Sequence, residues 1–176
     1  MGVVGTPGKA KLFCGVIYCG EEVKQRSFAV LEEKLGKIDL ISDVITFNFS
    51  NYYNSEMGNG LKRFWISFRK LISVDRLAEM KISTNFIENN FTLDGKRRIN
   101  IDPGYIGLAN VILATTKNYS HRIYISSGIY AEVTMIYNRR GGFVRLPWTY
   151  PDYLSKTATE FLLKVRSCFV RQLEKS

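Results

Sequence analysis

The spacing of apolar residues along this 176-residue chain switches between the two-residue period of strands and the 3.6-residue period of helices. The order in which the two periods follow each other limits the fold more than any other feature. A segment with the strand period cannot bury one apolar face as a helix, and a segment with the helical period cannot do so as a strand. Strand patterns cover residues 11–18, 43–49, 63–68, 98–102, 121–126 and 129–137, and helical patterns cover residues 21–35, 73–91, 103–116 and the segment from about Tyr153 onward. We therefore predict an α+β protein with antiparallel sheet and two to four helices.

Both halves of the chain follow the order strand, helix, strand, strand, helix. This order predicts two βαββα ferredoxin-like halves that meet at a cleft. Residues 1–10, rich in Gly, Val and Pro and without periodicity, are expected to form a loose leader. Residues 11–176 are expected to form a single domain, since a chain of this length suits one hydrophobic core.

The composition excludes several classes of protein. The three cysteines, Cys14, Cys19 and Cys168, are odd in number and lack CxxC spacing, which predicts reduced thiols rather than a disulfide framework. With a single histidine the chain offers no zinc or iron cluster, so no cofactor is evident, and a carboxylate-held magnesium is the metal that the composition allows. No secretory signal or membrane-spanning run is visible, so we expect a cytoplasmic protein without a membrane partner. The sequence leaves the oligomeric state open.

The net charge of +9 is unevenly distributed. Residues 1–88 hold 12 basic and 10 acidic side chains, whereas residues 89–176 hold 13 basic and 6 acidic. Clustered lysine and arginine favour a polyanionic partner, because binding releases counterions from phosphates. The basic second half is therefore compatible with nucleic-acid binding.

The stretch RRINIDPGYIGLANVILATTK, residues 97–117, carries the first candidate site. Strand alternation turns two isoleucines toward a core and places Arg98, Asn100 and Asp102 together on the opposite face. Asp102 and the proline after it also match the N-cap and first residue of a helix over 103–116. A carboxylate between a strand end and a helix start is suited either to capping alone or to binding a hydroxyl or metal.

The stretch SHRIYISSGIYAEVT, residues 120–134, predicts a hairpin with a second group of polar residues. Glu132 is the one acid in its apolar strand, and it either pairs structurally with Arg98 or Arg122 or takes part in catalysis. His121 is either a general base or a hydrogen-bonded structural residue. Lys117 either caps the preceding helix or binds a substrate phosphate.

Two aromatic segments, NFSNYYNSEMGNGLKRFW (48–65), which includes the connection between two predicted strands, and LPWTYPDY (146–153), are predicted to supply loops. The first is too long for a tight hairpin, and loops of this kind often bind ligands. Tyr53, Trp148 and Tyr150 are the aromatic candidates, although packing would also explain them.

Four motifs, FNFSNYYNSEMG, RRINIDPGY, LATTKNYSHRIYISSGIYAEVT and LPWTYPDY, together resemble the bacterial family of domain of unknown function 4416. The resemblance covers nearly the whole chain. It implies a single-domain protein of about this length, and it implies no activity, substrate or catalytic residue.

We therefore predict a cleft that binds a small anionic or phosphorylated metabolite or nucleotide, and the sequence does not decide between binding and turnover. If there is catalysis, Asp102, His121 and Glu132 are the predicted catalytic residues. The predicted ligand-binding residues are Tyr53, Arg98, Asn100, Tyr105, Lys117, Arg122, Tyr130, Trp148 and Tyr150, and no metal-binding residue is assigned. The alternatives are an RNA-binding module and a scaffold or peptide-binding protein.

Overall fold

The computed structural model describes residues 2–175, and in that range it has four α-helices and eleven strands. The helices are α1 (Glu21–Leu35), α2 (Asn54–Met57), α3 (Leu77–Asn89) and α4 (Lys156–Leu173), and 3-10 turns at Val74–Arg76 and Pro151–Leu154 precede α3 and α4. The strands are β1 (Lys9–Tyr18), β2 (Ile38–Ile41), β3 (Ile45–Thr46), β4 (Lys62–Ser73), β5 (Thr92–Leu93), β6 (Lys96–Arg97), β7 (Ile99–Ile106), β8 (Asn110–Thr115), β9 (Arg122–Ser126), β10 (Ile129–Asn138) and β11 (Gly142–Arg145). The protein is α+β, as predicted.

Nine of the strands form one antiparallel sheet with the order β11-β10-β8-β7-β1-β4-β2, in which β3 also pairs with β4 and β9 with β10. β5 and β6 form a separate hairpin. β1 takes a central place because its residues from Ala10 to Tyr18 are all buried, which requires cover on both faces of the sheet. β1 begins at Lys9, and residues 2–8 are exposed and lie in no helix or strand.

Helices cover the sheet on both faces. On one face Leu12 and Val16 of β1 pack in a core with Leu31 of α1 and Met80 and Ile87 of α3. On the other face a second core joins the sheet to α4, with members Phe13, Trp65, Val111, Leu113, Phe161, Leu162 and Val165. The alternation of β1 between the two cores follows from the strand period. No helix among residues 2–175 is long and apolar enough to span a membrane.

The predicted helix over residues 103–116 is wrong, because these residues form the second half of β7, a turn and β8. Pro103 lies within β7, opposite Cys14 of β1. The N–H and C=O of Ile101 bind side chains of α3, so they point away from β1. Alternate residues of a strand point their N–H groups the same way, so an N–H at Pro103 would also point away from β1. The absence of that N–H therefore removes no hydrogen bond between β1 and β7.

Two ferredoxin-like halves are not confirmed. β7, β1, β4 and β2 do lie side by side with α1 and α3 on one face, but the second half has no helix between β7 and β8. Instead β8 pairs with β7 and extends the same sheet. The predicted β9–β10 hairpin is confirmed, and its turn residues Ser127 (φ 52°) and Gly128 (φ 77°) have the left-handed backbone of a two-residue turn.

Candidate functional site

The sheet opens between β7 and β8. The two strands pair only where Gly104–Ile106 meets Val111–Leu113, next to the turn that joins them. Beyond that point β7 continues along β1 as far as Ile99, while β8 continues along β10 as far as Thr115. A cavity of about 450 Å³ lies at this opening, lined by residues of both strands, of α3 and of the two aromatic loops.

Gly104 fixes the point where the strands meet. A Cβ atom there would lie 2.4 Å from the carbonyl oxygen of Ile112, 2.8 Å from Leu113 Cδ2 and 2.9 Å from Phe13 Cε1. Only a residue without a side chain lets β7 and β8 approach this closely. The position of the opening therefore depends on this glycine.

Where β7 is no longer paired with β8, two side chains of α3 bind its backbone groups in place of a neighbouring strand. Lys81 Nζ donates to the carbonyl oxygen of Ile101 at 3.0 Å, and the N–H of Ile101 donates to Glu88 Oε1 at 2.7 Å. Buried backbone groups need such partners where a ladder ends. Burial raises the pKa of the Glu88 carboxyl.

Charged side chains surround Asp102 on the β7 side of the cavity. Asp102 Oδ2 accepts from Asn100 Nδ2 at 2.8 Å, and Asp102 Oδ1 lies 3.4 Å from Lys81 Nζ. Arg97 donates to both oxygens of Glu56, at 2.6 and 2.7 Å, and to Glu88 Oε2 at 2.5 Å. The predicted helix cap at Asp102 is thus replaced by a hydrogen-bonded carboxylate on a strand.

Arg63 is the most deeply buried cation of the cavity, with 1% of its surface exposed. One nitrogen lies 3.0 Å from Asp152 Oδ2, another lies 3.8 Å from Asp102 Oδ2, and the guanidinium stacks on the rings of Trp65 and Tyr153. A Cβ on the neighbouring Gly15 would lie 2.5 Å from Arg63, so the glycine makes room for it. Two carboxylates compensate this buried charge.

Glu132 organises the β8 side of the cavity. Its Oε2 accepts from Arg122 Nε at 2.8 Å and lies 3.3 Å from His121 Nε2, and its Oε1 accepts from Thr134 at 3.2 Å. Of the two arginines predicted as possible partners of Glu132, the structure pairs it with Arg122 and not with Arg98. Arg122 also donates to the Tyr150 hydroxyl at 2.7 Å, and burial raises the pKa of Tyr150 to about 12.

The first aromatic loop closes one side of the cavity with Phe49, Tyr52 and Tyr53, together with Phe47 just before it. Lys117 Nζ donates to the Tyr52 hydroxyl at 2.6 Å and lies 4.1 Å from the centre of its ring. Tyr52 is 60% exposed and Lys117 is also exposed, so this pair marks the open end of the cavity.

Seven of the predicted site residues line this cavity, namely Tyr53, Asn100, Asp102, Lys117, Arg122, Glu132 and Tyr150. The other five lie outside its lining. Arg98 donates to the carbonyl oxygen of Cys19, Tyr105 packs in the core on the α3 side, and Tyr130 packs against Tyr124. His121 stacks on Trp148 with ring centres 4.9 Å apart, behind Glu132.

The sequence analysis missed Arg63, Lys81, Glu88, Arg97 and Asp152, which all line the cavity. Arg63 had a detectable signal, since it is a charge at the start of the apolar strand RFWISF, as Glu132 is in its own strand. Lys81 and Glu88 lie on the buried face of α3 and gave no such signal until the helix was placed. Among residues 2–175 no group of three or more His, Cys, Asp or Glu side chains could hold a metal ion, and magnesium binding stays a prediction.

The fold and the site define an α+β protein with a charged and aromatic cavity at an opening of its antiparallel sheet. The chain belongs to the family described as domain of unknown function (DUF4416), whose model matches residues 8–169. This confirms the resemblance that the four motifs carried. No match to the chain was found among the curated proteins or among the solved structures.

Proposed function

We propose that the protein binds a small anionic ligand, a phosphorylated metabolite or nucleotide, in the cavity between β7 and β8. The proposal rests on one observation: the cations that line the cavity differ in whether a carboxylate is paired with them. Four of them have a carboxylate partner: Arg63 with Asp152, Lys81 with Asp102, Arg97 with Glu88, and Arg122 with Glu132. Within residues 2–175, Lys117 binds a phenol and no carboxylate.

An anion that contacts Lys117 would therefore not have to displace an ion pair. Arg122 reinforces this end of the cavity, because it donates to the Lys117 carbonyl oxygen at 3.1 Å and so lies beside it. The aromatic rings of Phe47, Tyr53 and Tyr150 provide the apolar surface that small-molecule sites usually combine with a few charged groups. Of the three residues predicted for catalysis, Asp102 and Glu132 line the cavity and His121 lies outside its lining, and the function proposed is binding.

The test is a thermal-shift and calorimetric titration of the protein with nucleotides and sugar phosphates. A ligand that binds only the folded state at about 100 times its Kd adds about 2.7 kcal/mol of stability. For a chain of this size that corresponds to a rise in Tm of roughly 5–11 °C. Lys117→Met should reduce the shift strongly, whereas the control Lys164→Met, on the exposed side of α4, should leave it unchanged. Equal shifts in both variants would refute the proposal.

Nucleic-acid binding is a second candidate, supported by a different group of residues. Arg139 and Arg140 in the β10–β11 turn and Arg145 at the end of β11 are exposed and form no salt bridge among residues 2–175. Phosphate contacts from such residues weaken steeply with salt. If RNA is the ligand, charge reversal at Arg139 and Arg140 will abolish binding and Lys117→Met will have little effect. The cavity proposal requires the opposite result.

A further inference from the structure

The buried end of the cavity has donors that no protein group uses. Arg63 Nε and the Arg63 nitrogen facing Asp102 are buried and have no hydrogen-bond partner among residues 2–175, and the buried Tyr153 hydroxyl has only the nearby Trp65 indole N–H, which leaves its own O–H without an acceptor. Both side chains line the cavity, and both lie against Gly15, where a Cβ would be 2.5 Å from Arg63 and 2.8 Å from the Tyr153 oxygen. Buried polar groups are nearly always paired with protein, water or a ligand, so these donors are available to a polar group in the cavity.

The charges at this end disfavour an anionic group as that ligand. The guanidinium of Arg63 already lies 3.0 Å from one carboxylate and 3.8 Å from another, those of Asp152 and Asp102. An anion here would meet both negative charges at close range. The anionic part of a ligand therefore fits the open end, beside Lys117, and a neutral polar part fits the buried end.

The buried end also needs a group that donates as well as accepts. Arg63 can only donate, whereas Asp102 can only accept while it is ionised. The Asp102 carboxylate receives one short hydrogen bond, from Asn100 at 2.8 Å, and a longer one from Lys81 at 3.4 Å, which leaves it acceptor capacity. Burial raises the pKa of Tyr153 well above its usual value, so its hydroxyl stays protonated and can donate. A hydroxyl group both donates and accepts, as this environment requires.

We infer that the ligand is a hydroxylated phosphate ester, whose phosphate lies at Lys117 and whose hydroxyl groups bind Asp102, Arg63 and Tyr153. The inference rests on the proposed function, because it assumes that the anionic group occupies the open end. Free sugar phosphates and ribonucleotides share this chemistry. In either case the aromatic side chains Tyr53 and Tyr150 would flank the carbon skeleton.

The experiment compares two five-carbon phosphate esters, one with hydroxyl groups and one without. Ribose 5-phosphate and pentyl phosphate carry the same phosphate and the same number of carbons, and only the first has hydroxyls. Calorimetry should show ribose 5-phosphate binding on the order of tenfold tighter or more, because a site built to bind a hydroxyl rejects a ligand without it. Adenosine monophosphate distinguishes the sources, since a nucleotide site will bind it tighter than ribose 5-phosphate and a sugar phosphate site will bind it more weakly.

Two conservative variants assign the preference to the buried end. Tyr153→Phe removes a single oxygen and keeps the aromatic ring, and Asp102→Asn keeps the shape of the side chain. Both should bring ribose 5-phosphate close to pentyl phosphate in affinity, so that the ratio of the two dissociation constants falls toward one. Tyr124→Phe, on the exposed face of β9, is the control and should keep the full preference.

The outcomes separate the two proposals. If pentyl phosphate binds as tightly as ribose 5-phosphate, or if Tyr153→Phe and Asp102→Asn both retain the preference, hydroxyl recognition is refuted and anion binding stands. If neither of these esters nor adenosine monophosphate binds, both proposals fail together. Loss of the preference in these two variants but not in Tyr124→Phe supports the assignment.

Discussion

Gly104→Ala should destabilise the protein more than its single added methyl group would suggest. The new Cβ would lie 2.4 Å from the carbonyl oxygen of Ile112, 2.8 Å from Leu113 Cδ2 and 2.9 Å from Phe13 Cε1. A side chain can rotate away from such a contact, but the carbonyl oxygen belongs to β8 and cannot move without its strand. Gly104 and Leu113 are also the last pair of the β7–β8 ladder, so the two parts of the sheet would separate there.

Overpacking of a core costs about 1–3 kcal/mol, and a contact with rigid backbone places Gly104→Ala near the upper value. A loss of about 3 kcal/mol lowers the Tm of a chain of this size by roughly 6–12 °C. Circular dichroism during heating measures the Tm, and urea unfolding measures the free energy independently.

Gly141→Ala is the matched control, because no atom lies within 4 Å of the Cβ that it would add. It should change the free energy of unfolding by no more than about 0.5 kcal/mol. If Gly104→Ala unfolds within about 2 °C of the wild type, then β7 and β8 do not approach as closely as described, and the argument for the position of the opening fails.

Two further predictions concern the charged groups. Glu88→Ala should lower the free energy of unfolding in urea by about 3–5 kcal/mol, because it leaves the Ile101 N–H without a partner and removes the carboxylate that pairs with Arg97. Glu88→Gln should cost less, since its amide oxygen can still accept from the Ile101 N–H. Equal losses in the two variants would show that this hydrogen bond is not the cause. Hydrogen bonds from Lys62 and Tyr18 lower the pKa of Glu21 from 4.5 to about 2, so Glu21 stabilises the folded state above pH 4.5 and loses this effect as the pH falls toward 2. Glu21→Gln should therefore lower the Tm at pH 6 and differ less from the wild type at each lower pH, and a constant difference would contradict the assignment.

Much of the fold could be predicted because its signals are local. The apolar spacing within α1, α3 and α4 identifies each helix from its own residues, and the continuous apolar run of β1 identifies a strand covered on both faces. The β9–β10 hairpin follows from its turn residues, and it sets Arg122 directly opposite Glu132. The pair between them was predictable for this reason, since only ten residues separate the two side chains.

The rest depended on contacts between distant segments. Asp102-Pro103 satisfies the local rules for a helix start, but pairing with β1, which lies almost ninety residues earlier, selects the strand. Arg63 meets Asp152, and Lys81 meets Ile101, only after four elements have packed. The sequence by itself therefore determined which local segments become helices and strands, whereas the tertiary structure decided where the sheet opens and which charges face the cavity, because burial and pairing between remote residues have no local signature.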